Sequence, residues 1–211
     1  MMPALRDRTT PRVQRWKEPR IRRADMMRTS LTHPLIIAEL AVGDRGGAIG
    51  VTFAPGKYQE AAMTGAWARD LEQDTSAIRQ WGAAHLISLL EPWEFSQLRI
   101  ECLPQVVEGQ GISWHGLPIT DGAAPDHRLL ERWPVLGSML VQGLHSGQRI
   151  VVHCKGGLGR AGTVAAMLLL QSRTVRTAQA AIDSVRRFRP GAVETVVQEE
   201  FLRQWARGLS S

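Results

Sequence analysis

The chain has 211 residues, 44% hydrophobic and 22% charged, which is the balance of one medium globular domain with its own core. A disordered, collagen-like or membrane-spanning chain is excluded by the same figures. The formal charge of +6 sits entirely in residues 1–30, where nine basic side chains face three acidic ones, while residues 31–211 carry 17 of each sign. The folded body is therefore neutral, and its charge alone points to no anionic partner.

Residues 1–30 hold Pro3, Pro11 and Pro19 and no apolar stretch, so a secretory signal is not expected and the segment reads as a basic, disordered tail. Two readings of it compete: a basic arm for an acidic surface or nucleic acid, and an unselected extension ahead of a start at Met26 or Met27. Trp16 is the one aromatic residue among the arginines, which argues against nucleic acid. The domain proper is expected over residues 31–211, in the cytoplasm. Cys102 and Cys154 are the only cysteines, too few for a disulfide framework or an all-thiolate zinc site, so no metal is expected. The longest apolar run, Val164 to Leu170, is far short of the roughly 20 residues that span a bilayer.

In chain order, residues 35–42 and 48–54 predict a strand pair about the Gly46-Gly47 turn. Trp67, Leu71, Ile78 and Trp81 fall at helical spacing, and Gly82 stands where that helix should stop. Residues 85–90 (HLISLL) predict a buried strand. A helix is expected over 93–107, ended or kinked by Pro104, then a strand over 111–119. The loop 120–126 (TDGAAPD) leads into a helix from about Leu129 to Leu144, with Pro134 early in it. Residues 149–154 (RIVVHC) predict a short strand. This alternation implies an α/β fold, a central, mostly parallel sheet flanked by helices, with ligands bound beyond the carboxyl ends of the strands. Here that end is Cys154.

After the strand the chain runs His153-Cys154-Lys155-Gly156-Gly157-Leu158-Gly159-Arg160-Ala161-Gly162-Thr163 into an apolar helix. The bare spacing Cys-x5-Arg carries little information, but its setting carries much. A strand delivers the cysteine, glycines let successive N–H groups converge, and a helix N-terminus adds positive potential. An anion-binding loop of this kind cradles a tetrahedral dianion and favours a thiolate, taking cysteine from ~8.5 into a range of ~3.5–7.5. Lys155, Gly156, Gly157, Leu158, Gly159 and Arg160 are the phosphate-binding candidates, with Arg160 as a planar fork for two oxygens. Without that setting, Cys154 would read as an inert buried thiol. His153 either orients the cysteine from behind or is a satisfied core histidine.

Displacing an alkoxide or phenoxide from phosphorus needs a proton donor on the leaving oxygen. The loop 120–126 offers Asp121, directly after a strand, and Asp126, placed where a helix N-cap is wanted; Asp121 is preferred. Cys102 reads as a core cysteine rather than a resolving thiol. The seven tryptophans read mostly as core.

The run HCKGGLGRAGT resembles the His-Cys-x5-Arg-Ser/Thr signature of the cysteine-dependent protein tyrosine phosphatases, in their dual-specificity branch. The segments PGKY (55–58), RDLEQDTSAIRQWG (69–82), LPITDGAAPD (117–126) and AAIDSVRRFRPGAVET (180–195), with Gln198 and the following FL at 201–202, are similar in order and spacing to the kinase-associated phosphatase type, so the resemblance covers about residues 35–207. It implies Cys154 as nucleophile, Arg160 as phosphate ligand, Asp121 as general acid, a phosphocysteine intermediate and no cofactor. Two departures stand out. Ala161 replaces the hydroxyl residue that helps the sulfur leave, which Thr163 is not placed to do. Glu194 stands where tyrosine-specific relatives have a glutamine that positions water, with Gln198 one turn later.

The leading expectation is a metal-independent phosphoprotein phosphatase, of tyrosine or dual specificity. The runners-up are a phosphate-binding adaptor that does not turn over, motivated by Ala161 and Glu194, and a phosphoinositide phosphatase, motivated by Lys155, for which a solvated loop lysine is the preferred reading. A rhodanese-like sulfurtransferase is a further alternative, although it needs neither Asp121 nor the GGLGR run. With Tyr58 the only tyrosine and no aromatic-bearing phosphotyrosine loop recognisable, a shallow pocket is expected.

Overall fold

The computed structural model describes residues 27–62 and 65–209. Most of the segment expected as a tail lies outside the described residues. Its last residues belong to the fold: the Arg28 N–H donates to the Ala66 carbonyl (2.9 Å), the Arg28 carbonyl accepts from Ala68 (3.0 Å), and Ser30 Oγ accepts from the Asp70 N–H (3.0 Å). Ordered structure thus starts before residue 31.

The strand pair forms as expected, β1 (Ala38–Val42) antiparallel to β2 (Gly47–Phe53). β2 then pairs in parallel with β7 (Arg149–Cys154), which pairs in parallel with β5 (Ala83–Ser88), itself parallel to β6 (Ser113–Gly116). The five-stranded order β1-β2-β7-β5-β6 makes β7 central. That position explains its run of apolar residues, because a strand covered on both faces has no solvent side. Ile150 and Val152 join one apolar cluster and Val151 the other, as the period of two demands. One cluster packs α5 (Trp133–His145), α6 (Gly159–Gln171), α7 (Ala178–Phe188) and α8 (Val196–Gly208) on one face. The other packs α1 (Leu71–Gln80), α2 (Pro92–Leu98) and α3 (Leu103–Gly109) on the opposite face. Among the described residues, no helix is long and apolar enough to cross a membrane.

Three helix expectations are corrected. Trp67 is not in α1 but in a two-residue strand β4 (Trp67–Ala68) paired with β3 (Tyr58–Gln59); Asp70 caps the helix by accepting from the Gln73 N–H (2.8 Å), which fixes its start at Leu71. The 93–107 segment is two helices, the first closed by Arg99 in the left-handed region (φ 58°). Pro104 neither ends nor kinks a helix; it lies in the first turn of α3, where its missing N–H is not needed. Pro134 does the same for α5, so the expected helix from Leu129 becomes α4 (His127–Leu130) and α5. One burial expectation is also corrected. Cys102 is exposed, at the cap of α3. The described tryptophans are mostly core, as expected: Trp133 and Trp67 are buried, Trp81, Trp114 and Trp205 pack against the apolar clusters, and Trp93 is 59% exposed.

Candidate active site

Cys154 ends the central strand and is buried. The chain turns beneath it and enters α6 at Gly159, one residue before Arg160. Gly157 carries the turn: its φ is +69°, and a Cβ there would lie 2.5 Å from the Thr52 carbonyl and 2.6 Å from the Phe53 nitrogen. No other residue fits that backbone. Its N–H donates to the Cys154 sulfur at 3.2 Å. The Gly159 N–H is already occupied, donating to Glu194 Oε2 at 2.7 Å.

Arg160 is 1% exposed. Its guanidinium makes a two-pronged pair with Glu94, Nη2 to Oε1 at 2.9 Å and Nη1 to Oε2. Nη1 also reaches the Ile119 carbonyl at 3.1 Å, and Nη2 lies 3.0 Å from Asp121 Oδ1. Glu94 Oε2 in turn accepts from the Glu91 N–H (2.9 Å) at the start of α2. An arginine is thereby held in one orientation by a partner it cannot leave without stranding a buried charge.

The two loop aspartates separate cleanly. Asp126 caps α4, accepting from the Arg128 N–H at 3.0 Å, and its carboxylate is bound by the Arg128 guanidinium, which holds it below its ordinary range. Arg128 also bridges to Glu91. Asp121, 70% exposed at its side chain, is the loop carboxylate beside Arg160. Gln198 is buried and fully engaged: Oε1 accepts from the Glu194 and Thr195 N–H groups (2.9 and 3.3 Å), and Nε2 donates to the Ala123 carbonyl (3.1 Å). It ties the Asp121 loop to the Glu194 turn.

His153 lies fully buried behind the loop. Burial pushes it down to about 3, so the ring is neutral. Among the described residues no side chain hydrogen-bonds either ring nitrogen, and the Cys154 backbone is the group that favours its charged form. Lys155 turns its ammonium to Gln97 Oε1 (2.8 Å).

Beside the loop opens a cavity of about 400 Å³ walled by Phe53, Lys57, Trp67, Asp121, Arg189 and Glu194 together with Lys155, Gly156 and Leu158. Trp67, expected in the core, is thus part of the site wall. Three participants were not legible beforehand. Glu94 carries only the signal of a helix-capping carboxylate after Pro92. Lys57 and Arg189 fall in the PGKY and RRFRPGAVET segments but carry no local signature of a role.

Comparison with known proteins agrees with this geometry. Residues 61–202 match the family described as PTP-SAK, Swiss Army Knife protein, DSP-PTPase phosphatase domain. The chain is 32% identical over 144 residues to cyclin-dependent kinase inhibitor 3 of Rattus norvegicus, and 31% identical over 144 residues to that of Homo sapiens. Each alignment takes in 68% of this chain and 66% of the relative's length, so the match spans just under two thirds of those proteins. Among solved structures, kinase-associated phosphatase with its catalytic-site cysteine substituted by serine is similar at a TM-score of 0.72 and 27% identity, over 84% of this chain and 97% of that one. Tk-PTP in its active form is similar at 0.58 and 26%, over 79% and 97%. A sulfurtransferase reading falls with these matches, and the chain belongs to the dual-specificity branch of the protein tyrosine phosphatase domain family.

Proposed function

We propose that the protein hydrolyses phosphomonoesters on phosphorylated proteins, with tyrosine or dual specificity, through a phosphocysteine intermediate and without a metal. The observation that carries this is Arg160, fixed by Glu94 and set between the Cys154 loop and the Asp121 carboxylate, 3.0 Å away. Backbone N–H groups and a guanidinium aimed at one point stabilise charge as it develops on phosphorus.

In the first step the Cys154 thiolate attacks phosphorus, the bond from phosphorus to the ester oxygen breaks, and Asp121 passes its proton to the departing oxygen. In the second, water attacks phosphorus, Asp121 takes a proton from that water, and the sulfur–phosphorus bond breaks to return thiolate and free inorganic phosphate. The thiol chemistry suits a reducing compartment, which supports the cytoplasm. The names of the relatives make phosphorylated kinases the first substrates to try.

The test is pre-steady-state hydrolysis of an aryl phosphate. The expected result is a burst followed by sustained release in the parent chain and neither in Cys154→Ser. Release that survives Cys154→Ser overturns the assignment. A second reading, a phosphate-binding adaptor, is favoured by the Glu194 carboxylate resting on the Gly159 N–H and by Ala161. A burst with no turnover supports it. Phosphoinositide hydrolysis draws less support, because Lys155 is engaged with Gln97.

A further inference from the structure

The carbonyls of three successive loop residues are held from outside by two cations far away in sequence. Lys57 Nζ donates to the Lys155 carbonyl at 3.3 Å. Arg189 donates through Nη2 to the Gly156 carbonyl at 3.0 Å and through Nε to the Gly157 carbonyl at 2.9 Å. The following carbonyl, Leu158, accepts from the Gly162 N–H at 2.8 Å as α6 begins. In a planar trans peptide the C=O and the next N–H point in opposite directions. A carbonyl pulled outward therefore drives the next N–H inward: Lys57 sets the N–H of Gly156, and Arg189 sets those of Gly157 and Leu158. The Gly157 N–H does point at the Cys154 sulfur, 3.2 Å away.

We propose that Lys57 and Arg189 are positioning residues that, by gripping the loop's carbonyls, turn its amides toward the sulfur and, with Arg160, supply the positive field that holds Cys154 as a thiolate. The proposal rests on the phosphatase reading of the same loop and deepens it.

Lys57 is buried, with its ammonium 4.8 Å from the Phe53 ring and 4.9 Å from the Trp67 ring. Burial first, and then the Arg69 charge, lower it to about 8; Arg189 and Lys155 push the same way and Cys154 pushes back. The carboxylates near this cluster are Asp74, paired with Arg69 behind the wall, and Asp121 and Glu194 across the cavity. Arg189 is also lowered by burial and supported by Cys154, but from the much higher ordinary range of a guanidinium. Of the two gripping side chains, Lys57 is the one that sheds its charge in mildly alkaline water, and the cradle should weaken as it does.

Two measurements that need no turnover test this. The first is alkylation of Cys154 by iodoacetamide, a neutral reagent, at a fixed pH near 6.5. Lys57→Met and Arg189→Met should react several-fold more slowly than the parent, while Lys57→Arg stays within about twofold. The second is protection of Cys154 by inorganic phosphate across the pH range. It should weaken through about 8 in the parent, where Lys57 loses its charge, and not in Lys57→Arg. Parent-like alkylation of both Met variants overturns the proposal, as does a phosphate profile that Lys57→Arg leaves unmoved. If Lys57→Met does not fold, Arg189→Met and Lys57→Arg still decide. A parent chain that releases no phosphate, alongside slowed alkylation of the variants, would sink the hydrolase reading and leave this one standing.

Discussion

Arg160 and Glu94, sixty-six residues apart, meet as a buried two-pronged ion pair in which both side chains are 1% exposed. The strand-loop-helix unit supplies the arginine, and a helix from the opposite face of the sheet supplies the carboxylate. Charge pairs removed from water cost desolvation, and their worth lies in fixing geometry.

Glu94→Gln keeps the shape and removes the charge. It is expected to lower kcat/KM for an aryl phosphate by about a hundredfold, because the guanidinium loses its orientation at the moment phosphoryl charge spreads. Glu94→Ala should in addition destabilise the fold by about 3–5 kcal/mol, the cost of a stranded buried charge. Steady-state kinetics and urea denaturation check the two effects separately. Parent-like kinetics in Glu94→Gln would show that Arg160 needs no such anchor.

The two aspartates of the 120–126 loop should part company. Asp121→Asn is expected to slow a substrate with a poor leaving group by about 10²–10⁴-fold, the usual range for a lost general acid, with little change for one whose oxygen leaves unaided. Asp126→Asn should keep the chemistry and the α4 cap, which asparagine supplies as well as aspartate, and cost only the charge on its partly exposed Arg128 pair, about 0–1 kcal/mol. A leaving-group series on both variants reads this directly, and the reverse pattern would reassign the acid.

Gly157→Ala places a Cβ 2.5 Å from the Thr52 backbone at φ +69°, where both steric fit and backbone angle forbid it. Loss of activity with a melting temperature lowered by several degrees is expected, whereas Gly156→Ala, whose Cβ meets nothing within 4 Å, should fold normally. Circular dichroism melts of the pair give the comparison.

Burial lowers His153 to about 3 and also lowers His85 and His115 from their ordinary 6.5. His85 Nδ1 and His115 Nε2 share one hydrogen bond at 3.1 Å. Each is harder to protonate folded than unfolded, so the unfolded chain takes up more protons as pH falls below about 6.5. Stability is full above that value and declines toward acid, at about 1.4 kcal/mol per pH unit for the fully buried His153 and by less for the half-buried His85 and His115. Between about pH 6.5 and 5, above the carboxylate range, denaturation at stepped pH isolates this contribution. A flat profile there would mean that these rings are not held neutral by the fold.

The strand RIVVHC and the hairpin before it were legible because an apolar run bounded by glycine has few ways to be satisfied, and Asp126 was legible as a cap from its place before a helix. Prolines misled: Pro104 and Pro134 begin helices that local pattern alone would run through or end. Cys102 misled too, since the expected helix breaks after Leu98 and leaves Cys102 at the cap of α3 instead of inside a helix.

The sequence by itself determined the strand-loop-helix unit, because Cys154, Gly157 and Arg160 lie within seven consecutive residues and the turn follows from local backbone geometry. Only the tertiary structure decided what surrounds that loop. Glu94, Asp121 and Lys57 come from three separate segments and Arg189 and Glu194 from a fourth, the connection between α7 and α8, and nothing local in a chain records which distant charge will be brought to which face of a sheet. Which carboxylate holds the arginine and which cations turn the amides inward are consequences of strand order and helix packing, where burial removes water as a competitor and makes each partner decisive.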